Sequence, residues 1–405
     1  MSEDERLERY AELAVRVGAN LQPGQPLSVI GQVEHAPLAR AVARAAYRHG
    51  ASYVDVQYSD LHVKRALLEC GPDEALTHTP AWMLTRVHDL NDHRGALVAI
   101  TGDPEPDLLS DLDGERVGKA RPLELARANS TQINEQLANW TIVSYPTIGW
   151  AKAVFGEPDV EKLWAAVGFA TRLDEPDPVA AWQKHMARLD GRARVLNERA
   201  FDAIRFRGPG TELTVGLLPA SRWRSASFTT AWGLEHVPNM PTEEVFTTPD
   251  LRRTEGTVRS TRPLGLLGTT VRDLELRFEH GKVVEVRASA GADVMRGQLA
   301  TDEWAPYLGE VALVDGGSRV GQTGITFMDT LFDENATCHI AYGDAVTFAT
   351  EGLAGLGHEE RRARGVNSSA VHTDFMIGGP EVDVDALDAD GRATPLLRGD
   401  VWKLY

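Results

Sequence analysis

Leu27-Ser-Val-Ile-Gly-Gln-Val-Glu-His-Ala-Pro-Leu-Ala-Arg-Ala-Val-Ala-Arg-Ala-Ala-Tyr-Arg-His-Gly-Ala-Ser-Tyr-Val-Asp-Val-Gln-Tyr58 decides the fold class. Leu27-Ser-Val-Ile30 is a short apolar strand. Ala36 to His49 is an alanine-rich helix with Pro37 in its first turn and Gly50 closing it. Tyr53 to Tyr58 alternates its faces as a second strand. A β–α–β unit of this kind predicts a parallel pair joined by a right-handed crossover. Upstream, Leu7, Tyr10, Leu13 or Ala14, and Val17 make one apolar side of a helix over Asp4 to Val17. Pro23-Gly24 then turns the chain. Downstream, a helix over Thr79 to Leu90 precedes the strand Gly95–Thr101. After a loop at Asp103–Asp107, a helix over Pro122 to Gln136 leads into the strand Trp140–Tyr145. The alternation implies an open, largely parallel α/β sheet. No Gly-x-Gly-x-x-Gly follows the first strand and no Gly-Lys-Ser/Thr loop occurs, so nucleotide binding is unsupported.

From Glu157 to Leu189 the pattern is helical, broken by Asp174-Glu-Pro-Asp-Pro178. A boundary is expected near Asp190-Gly191, giving an N-terminal α/β domain over 1–189 and a C-terminal domain over 190–405. The second part is β-rich, with strands expected at Ala203–Arg207, Thr211–Leu217, Gly256–Ser260, Leu274–Phe278 and Lys282–Val286. Glu279-His-Gly-Lys282 reads as a hairpin turn, and the whole reads as a mixed α+β domain. A chain of 405 residues is comfortable as two domains. With 42 basic and 59 acidic residues its net charge is −17, which argues against nucleic-acid or anionic-membrane partners. Two cysteines, Cys70 and Cys338, suit a reducing compartment. The N-terminus has no apolar signal core, and no run approaches the roughly 18 apolar residues that span a bilayer. A cytoplasmic protein is expected.

The chemistry concentrates in four stretches of the C-terminal part. Thr330-Leu-Phe-Asp-Glu-Asn-Ala-Thr-Cys-His-Ile-Ala-Tyr-Gly343 sets Glu334 and His339 five residues apart, with Tyr342 just beyond. Pro241-Thr-Glu-Glu244 offers two adjacent acids, of which a strand would turn only one toward a site. Leu308-Gly-Glu310 puts one acid into an apolar strand, which is costly unless the acid is paired or metal-bound. His372-Thr-Asp374 places two ligand types on one side of an extended segment. Each stretch has a plain structural alternative: a solvated acidic turn, a salt bridge from Glu310 to a residue such as Arg319, a surface histidine. Together, one of the pair Glu243 and Glu244 with Glu310, Glu334, His339, His372 and Asp374 suits two divalent ions such as Zn, Co or Mn, one carboxylate bridging. Two such ions could activate water, polarise a carbonyl and anchor an amine, as an aminopeptidase requires. Cys338 reads as packing, and no Gly-x-Ser-x-Gly elbow supports serine catalysis. A rival reading takes only His339, His372 and Asp374 as the two-His, one-carboxylate set of a mononuclear iron dioxygenase.

The strings Arg205–Leu217, Asn239–Pro249, Leu331–His339 and Asn367–Asp374 resemble the aminopeptidase T / AmpS / PepS family of metallo-aminopeptidases, and the resemblance spans almost the whole chain. It implies removal of N-terminal residues from short peptides with two divalent ions, among them cobalt, zinc or magnesium. It also implies a homodimer and the ligands Glu244, Glu310, Glu334, His339, His372 and Asp374, which selects Glu244 over Glu243. Glu243, or a ligand carboxylate, is then the expected proton acceptor. The family's tyrosine seven residues after the histidine is replaced here by Val346. Tyr342 is a substitute candidate for contacting the oxyanion, and a relative that binds metal without turnover is a further alternative.

Overall fold

The computed structural model describes residues 2–106, 108–266, 269–353 and 355–404. Asp107, the last residue of the expected 103–107 loop, lies outside them. The chain divides into two compact units, Met1–Lys184 with Ser227–Pro241 and His185–Ala226 with Thr242–Tyr405. Asp190-Gly191, where the sequence suggests a boundary, sits within the helix Pro178–Arg199.

In the first unit, Tyr53–Ser59, Pro26–Gln32, Ala96–Thr101 and Asn139–Ser144 lie side by side in that order, all parallel. The open α/β sheet expected from 27–58 is borne out. Helix Ala36–Arg48 buries Leu38, Ala39, Ala41, Val42, Ala45 and Ala46. Alanines on that face let the helix backbone lie close to its neighbours. Ser2 and Glu5 close a capping box at the start of helix Glu3–Leu13, which runs on through a π-helical turn at Ala14–Gly18. Two features carry no clear sequence signal: the helix Leu61–Cys70 and the small hairpin Phe228–Thr229 with Glu235–His236.

The second unit holds two large antiparallel sheets and a two-stranded one, Leu264–Leu266 with Thr269–Val271. The larger has the order Lys282–Arg287, Glu275–Glu279, Pro249–Arg259, Thr211–Leu217, Ala203–Gly208, Asp383–Leu387, Ala393–Arg398, Val401–Trp402. The predicted turn at 279–282 is present, with His280 and Gly281 at φ 51° and 83°, the left-handed pair that a two-residue hairpin favours. The smaller sheet has the order His372–Met376, His339–Gly343, Leu308–Leu313, Val245–Thr247. Val245, Val311, Leu313, Ile340, Tyr342 and Phe375 of that sheet join one apolar core with Ile204, Phe206, Leu213 and Val215 of the larger.

The Arg205-Phe-Arg207 motif has a structural use. Asp385 is 1% exposed, and it accepts from Arg207 at 2.9 Å, Arg205 at 3.1 Å and Arg398. Those residues tie the strands Ala203–Gly208, Asp383–Leu387 and Ala393–Arg398 together. Burial alone would raise the Asp385 carboxyl, but the guanidinium groups of Arg398 and Arg205 hold it below the usual carboxylate range. A depressed folded value stabilises above the unfolded pKa, near 4, and that stabilisation is lost as pH falls through the folded value. Asp385→Asn is therefore expected to cost about 2–4 kcal/mol at pH 7. Urea unfolding at stepped pH should show the gap to wild type closing in acid.

Candidate metal centre

The strand His339–Gly343 organises the site. Side chains alternate along a strand, so His339, Ala341 and Gly343 share one face while Ile340 and Tyr342 share the other. On one flank Ala341 pairs with Asp374 and Gly343 with His372. On the other Ala341 pairs with Glu310 and Ala312 with His339. Small residues at 341 and 343 leave room for the longer ligands beside them.

Glu310 reaches this face through a break in register. Leu308 pairs with Tyr342, on the core face, and in an unbroken strand Glu310 would share that face. The register shifts between Leu308 and Glu310, so Gly309 is the extra residue of a bulge and Glu310 emerges opposite Ala341. Backbone crowding demands glycine there: a Cβ at 309 would lie 2.1 Å from the Asp344 carbonyl oxygen. Glu244 enters from the fourth strand, one residue before Val245, which pairs with Leu313.

Two groups of three donors result. Glu244, Glu310 and His339 bring ligand atoms within 4.8 Å of one another, as do Glu310, His372 and Asp374. Glu310 belongs to both. His339 Nε2 lies 2.9 Å from Glu244 Oε2, and His372 Nε2 lies 3.4 Å from Glu310 Oε2 and 3.5 Å from Asp374 Oδ2. Glu334 ends the short helix Thr330–Glu334. Its charge is felt together with those of Asp374, Glu244, His339 and Glu310, but it belongs to neither group. The imidazoles are oriented from behind. His372 Nδ1 donates to the Asp344 carbonyl at 2.7 Å and His339 Nδ1 to that of Thr337 at 3.3 Å, which leaves each Nε2 as the metal-facing atom.

The electrostatics fit a cation. Four carboxylates and two imidazoles meet here, and only His372, 36% exposed, is open to solvent. Burial pushes the Glu310 carboxyl up to about 7 and Glu334 well above its usual range, the neighbouring acids adding to both. Burial would lower the imidazoles, but Glu244 holds His339 up at about 10, and Asp374 with Glu310 holds His372 well above its ordinary value. Burial would also raise Asp374, yet the His372 charge keeps it below the usual range. Glu244 Oε2, despite its approach to His339, is buried without a partner at hydrogen-bonding geometry. An oxygen left so is costly unless a cation takes it.

Two expected catalytic residues stand apart. Tyr342 projects into the core on the opposite face, since 339 and 342 differ by an odd number along the strand, and its hydroxyl donates to Gln298 Oε1. Glu243 turns away from Glu244, its oxygens 3.3 Å from Arg188 Nη2 and from the Arg319 amide. The salt bridge weighed between Glu310 and Arg319 is thus replaced by an Arg319 contact to Glu243. Cys338 packs against Val314, its thiol pushed up to about 12 by burial.

The sequence reading passed over several supporting residues. Asn367 Nδ2 donates to the Trp304, Tyr307 and Gly343 carbonyls, and Asp302 accepts from the Ser369 hydroxyl and the Ala370 amide. Together they pin the segment that leads into His372. Asn367 opens the Asn367–Asp374 string, so a signal was present in its position.

A buried cluster of this composition defines a metal-dependent enzyme. The chain belongs to the thermophilic metalloprotease (M29) family, whose profile matches residues 3–402. It is 45% identical to aminopeptidase T of Thermus aquaticus over 98% of both chains. It is 38% identical to aminopeptidase 2 of Geobacillus stearothermophilus and 36% to aminopeptidase AmpS of Bacillus subtilis, again over 98% of both. The solved structure of wild-type AmpT from Thermus thermophilus superposes with a TM-score of 0.91 at 43% identity, covering 99% of this chain and 100% of that one. The resemblance read from the sequence and the fold class are borne out.

Gly309→Ala tests the bulge. Forcing a methyl against the Asp344 carbonyl should cost about 1–3 kcal/mol, seen as a lowered thermal midpoint. By displacing Glu310 it should also weaken divalent-ion affinity about tenfold or more, measured by chelator competition.

Proposed function

We propose that this metallo-aminopeptidase releases N-terminal residues from short peptides at a site for two divalent ions, of the Zn, Co, Mn or Mg class. The observation that carries this reading is Glu310, shared by two three-donor groups. Glu244, Glu310 and His339 would hold one ion, and Glu310, His372 and Asp374 the other, with Glu334 beside both groups. A mononuclear iron site would leave Glu244 and Glu334 without a role. Once bound, such ions polarise a peptide carbonyl and make water acidic enough to attack it near neutral pH.

The chain's own residues do the rest. The surplus of carboxylates favours a substrate that presents a positively charged amino terminus, which matches exopeptidase action. The partly open His372 side admits it. Glu334, outside both groups, is the carboxylate we assign to take the proton from the attacking water and return it to the leaving amine. All these residues fall in 190–405, the part we take as the catalytic domain, with 1–189 as its α/β companion. The family resemblance supports a homodimer, and the two cysteines suit a reducing compartment such as the cytoplasm. No described helix is long and apolar enough to cross a membrane.

Metal analysis and a panel of amino-acid anilides and dipeptides test the reading. Wild type should bind two ions per chain, and His339→Ala should lose metal and peptidase activity together. Unchanged metal content and activity in that variant would sink the assignment. Val346 bears on rate, because the resemblance places the family's tyrosine at that position. Val346→Tyr is expected to raise kcat about tenfold or more with little change in KM.

A further inference from the structure

Glu243 is a fully buried carboxylate beside a proposed ligand, and the reaction as proposed does not use it. Its surroundings are built. His185 and Arg188 lie one turn apart on the helix Pro178–Arg199. His185 Nε2 donates to the Thr242 carbonyl at 2.7 Å, so its Nδ1 is the acceptor and takes a hydrogen bond from Arg188 Nη2 at 3.1 Å. The same Arg188 nitrogen lies 3.3 Å from Glu243 Oε2, while Glu243 Oε1 accepts from the Arg319 amide at 3.3 Å. The Glu243 amide donates to Asn335 Oδ1 at 2.7 Å.

The Thr242 carbonyl and the Glu243 amide are the two polar atoms of a single peptide unit. That unit is therefore gripped at both ends, by His185 on its oxygen and by Asn335 on its nitrogen. Asn335 is fixed in turn, donating to the Leu331 carbonyl at 2.9 Å and approaching Glu334 Oε1 at 3.4 Å. Its own carbonyl accepts from the Ser318 hydroxyl at 2.6 Å. With the peptide and the Glu243 side chain both held, the next side chain has one direction left, and Glu244 Oε2 arrives at the ligand cluster without a hydrogen bond of its own.

We propose that Glu243 is a positioning residue: clamped by Arg188, His185 and the Arg319 amide, it sets the carboxylate of Glu244 toward the metal site and takes no proton in the reaction. The inference rests on the dinuclear reading above. A proton acceptor must face the attacking water with a free oxygen, whereas one Glu243 oxygen faces Arg188 and His185 and the other the Arg319 amide. Groups that hold a ligand in place typically change metal affinity 10–100-fold when removed.

Cobalt(II) titration separates the roles, because its visible absorption reports coordination independently of turnover. Glu243→Gln keeps the shape of the side chain and removes its charge. Cobalt affinity is expected to fall about 10–100-fold, with kcat at saturating cobalt within about tenfold of wild type. Arg188→Met should weaken cobalt binding in the same direction, and Arg188→Lys should recover part of it. Arg188 is 42% exposed, so this pair carries the test if the Glu243 variant does not fold. Full cobalt affinity with kcat lowered by about 10²–10⁴ in Glu243→Gln would make Glu243 the proton acceptor and overturn the proposal. So would variants with wild-type affinity and wild-type kcat. Wild-type protein that binds no cobalt, or binds it without hydrolysing peptides, would instead overturn the functional reading itself.

Discussion

Four carboxylates and two imidazoles converge on one face of a four-stranded sheet, and that concentration of buried charge is the constraint on which the second unit depends. Each acid taken out of water costs several kcal/mol unless positive charge or donors replace the lost solvation. The imidazoles supply part of the replacement, His339 standing 2.9 Å from Glu244 and His372 3.4 Å from Glu310.

A sheet can carry such a face because alternation gives it another of opposite character. Ile340, Tyr342, Val311, Leu313 and Phe375 bury themselves in the core, and that packing supplies the stability against which the charged face is held. The bulge at Gly309 is the one place where the alternation must be broken, since Glu310 follows Leu308 by two residues and has to face the other way. Behind the ligands, Asn335, Asn367 and Asp302 hold the chain at its turns. Rigidity of this kind matters for a metal site, where a misplaced ligand loses affinity steeply.

Much of the molecule was legible in the chain. The strand–helix–strand stretch at 27–58 read correctly because its apolar period changes cleanly from 2 to 3.6. The turn at His280-Gly281 read correctly because few residues accept left-handed backbone. Helix Leu61–Cys70 did not, since Leu68 is its only buried residue and no apolar stripe forms. Tyr342 shows a different limit. It lay beside the ligands in sequence, but three residues along a strand is an odd step and turns a side chain away. Glu243 and Glu244 show the same rule in a form that residue types cannot resolve: two identical acids, one gripped by Arg188, the other aimed at His339.

The sequence by itself determined the fold class and the family, and offered the candidate ligands, because periodicity, residue chemistry and long specific strings are local properties. Tertiary structure decided which acid faces which way, that Glu310 joins both donor groups, and that Glu334 joins neither. Those outcomes depend on strand register, which brings Glu310 and Asp374, far apart in the chain, to either side of Ala341 across a bulge that only the packed sheet requires.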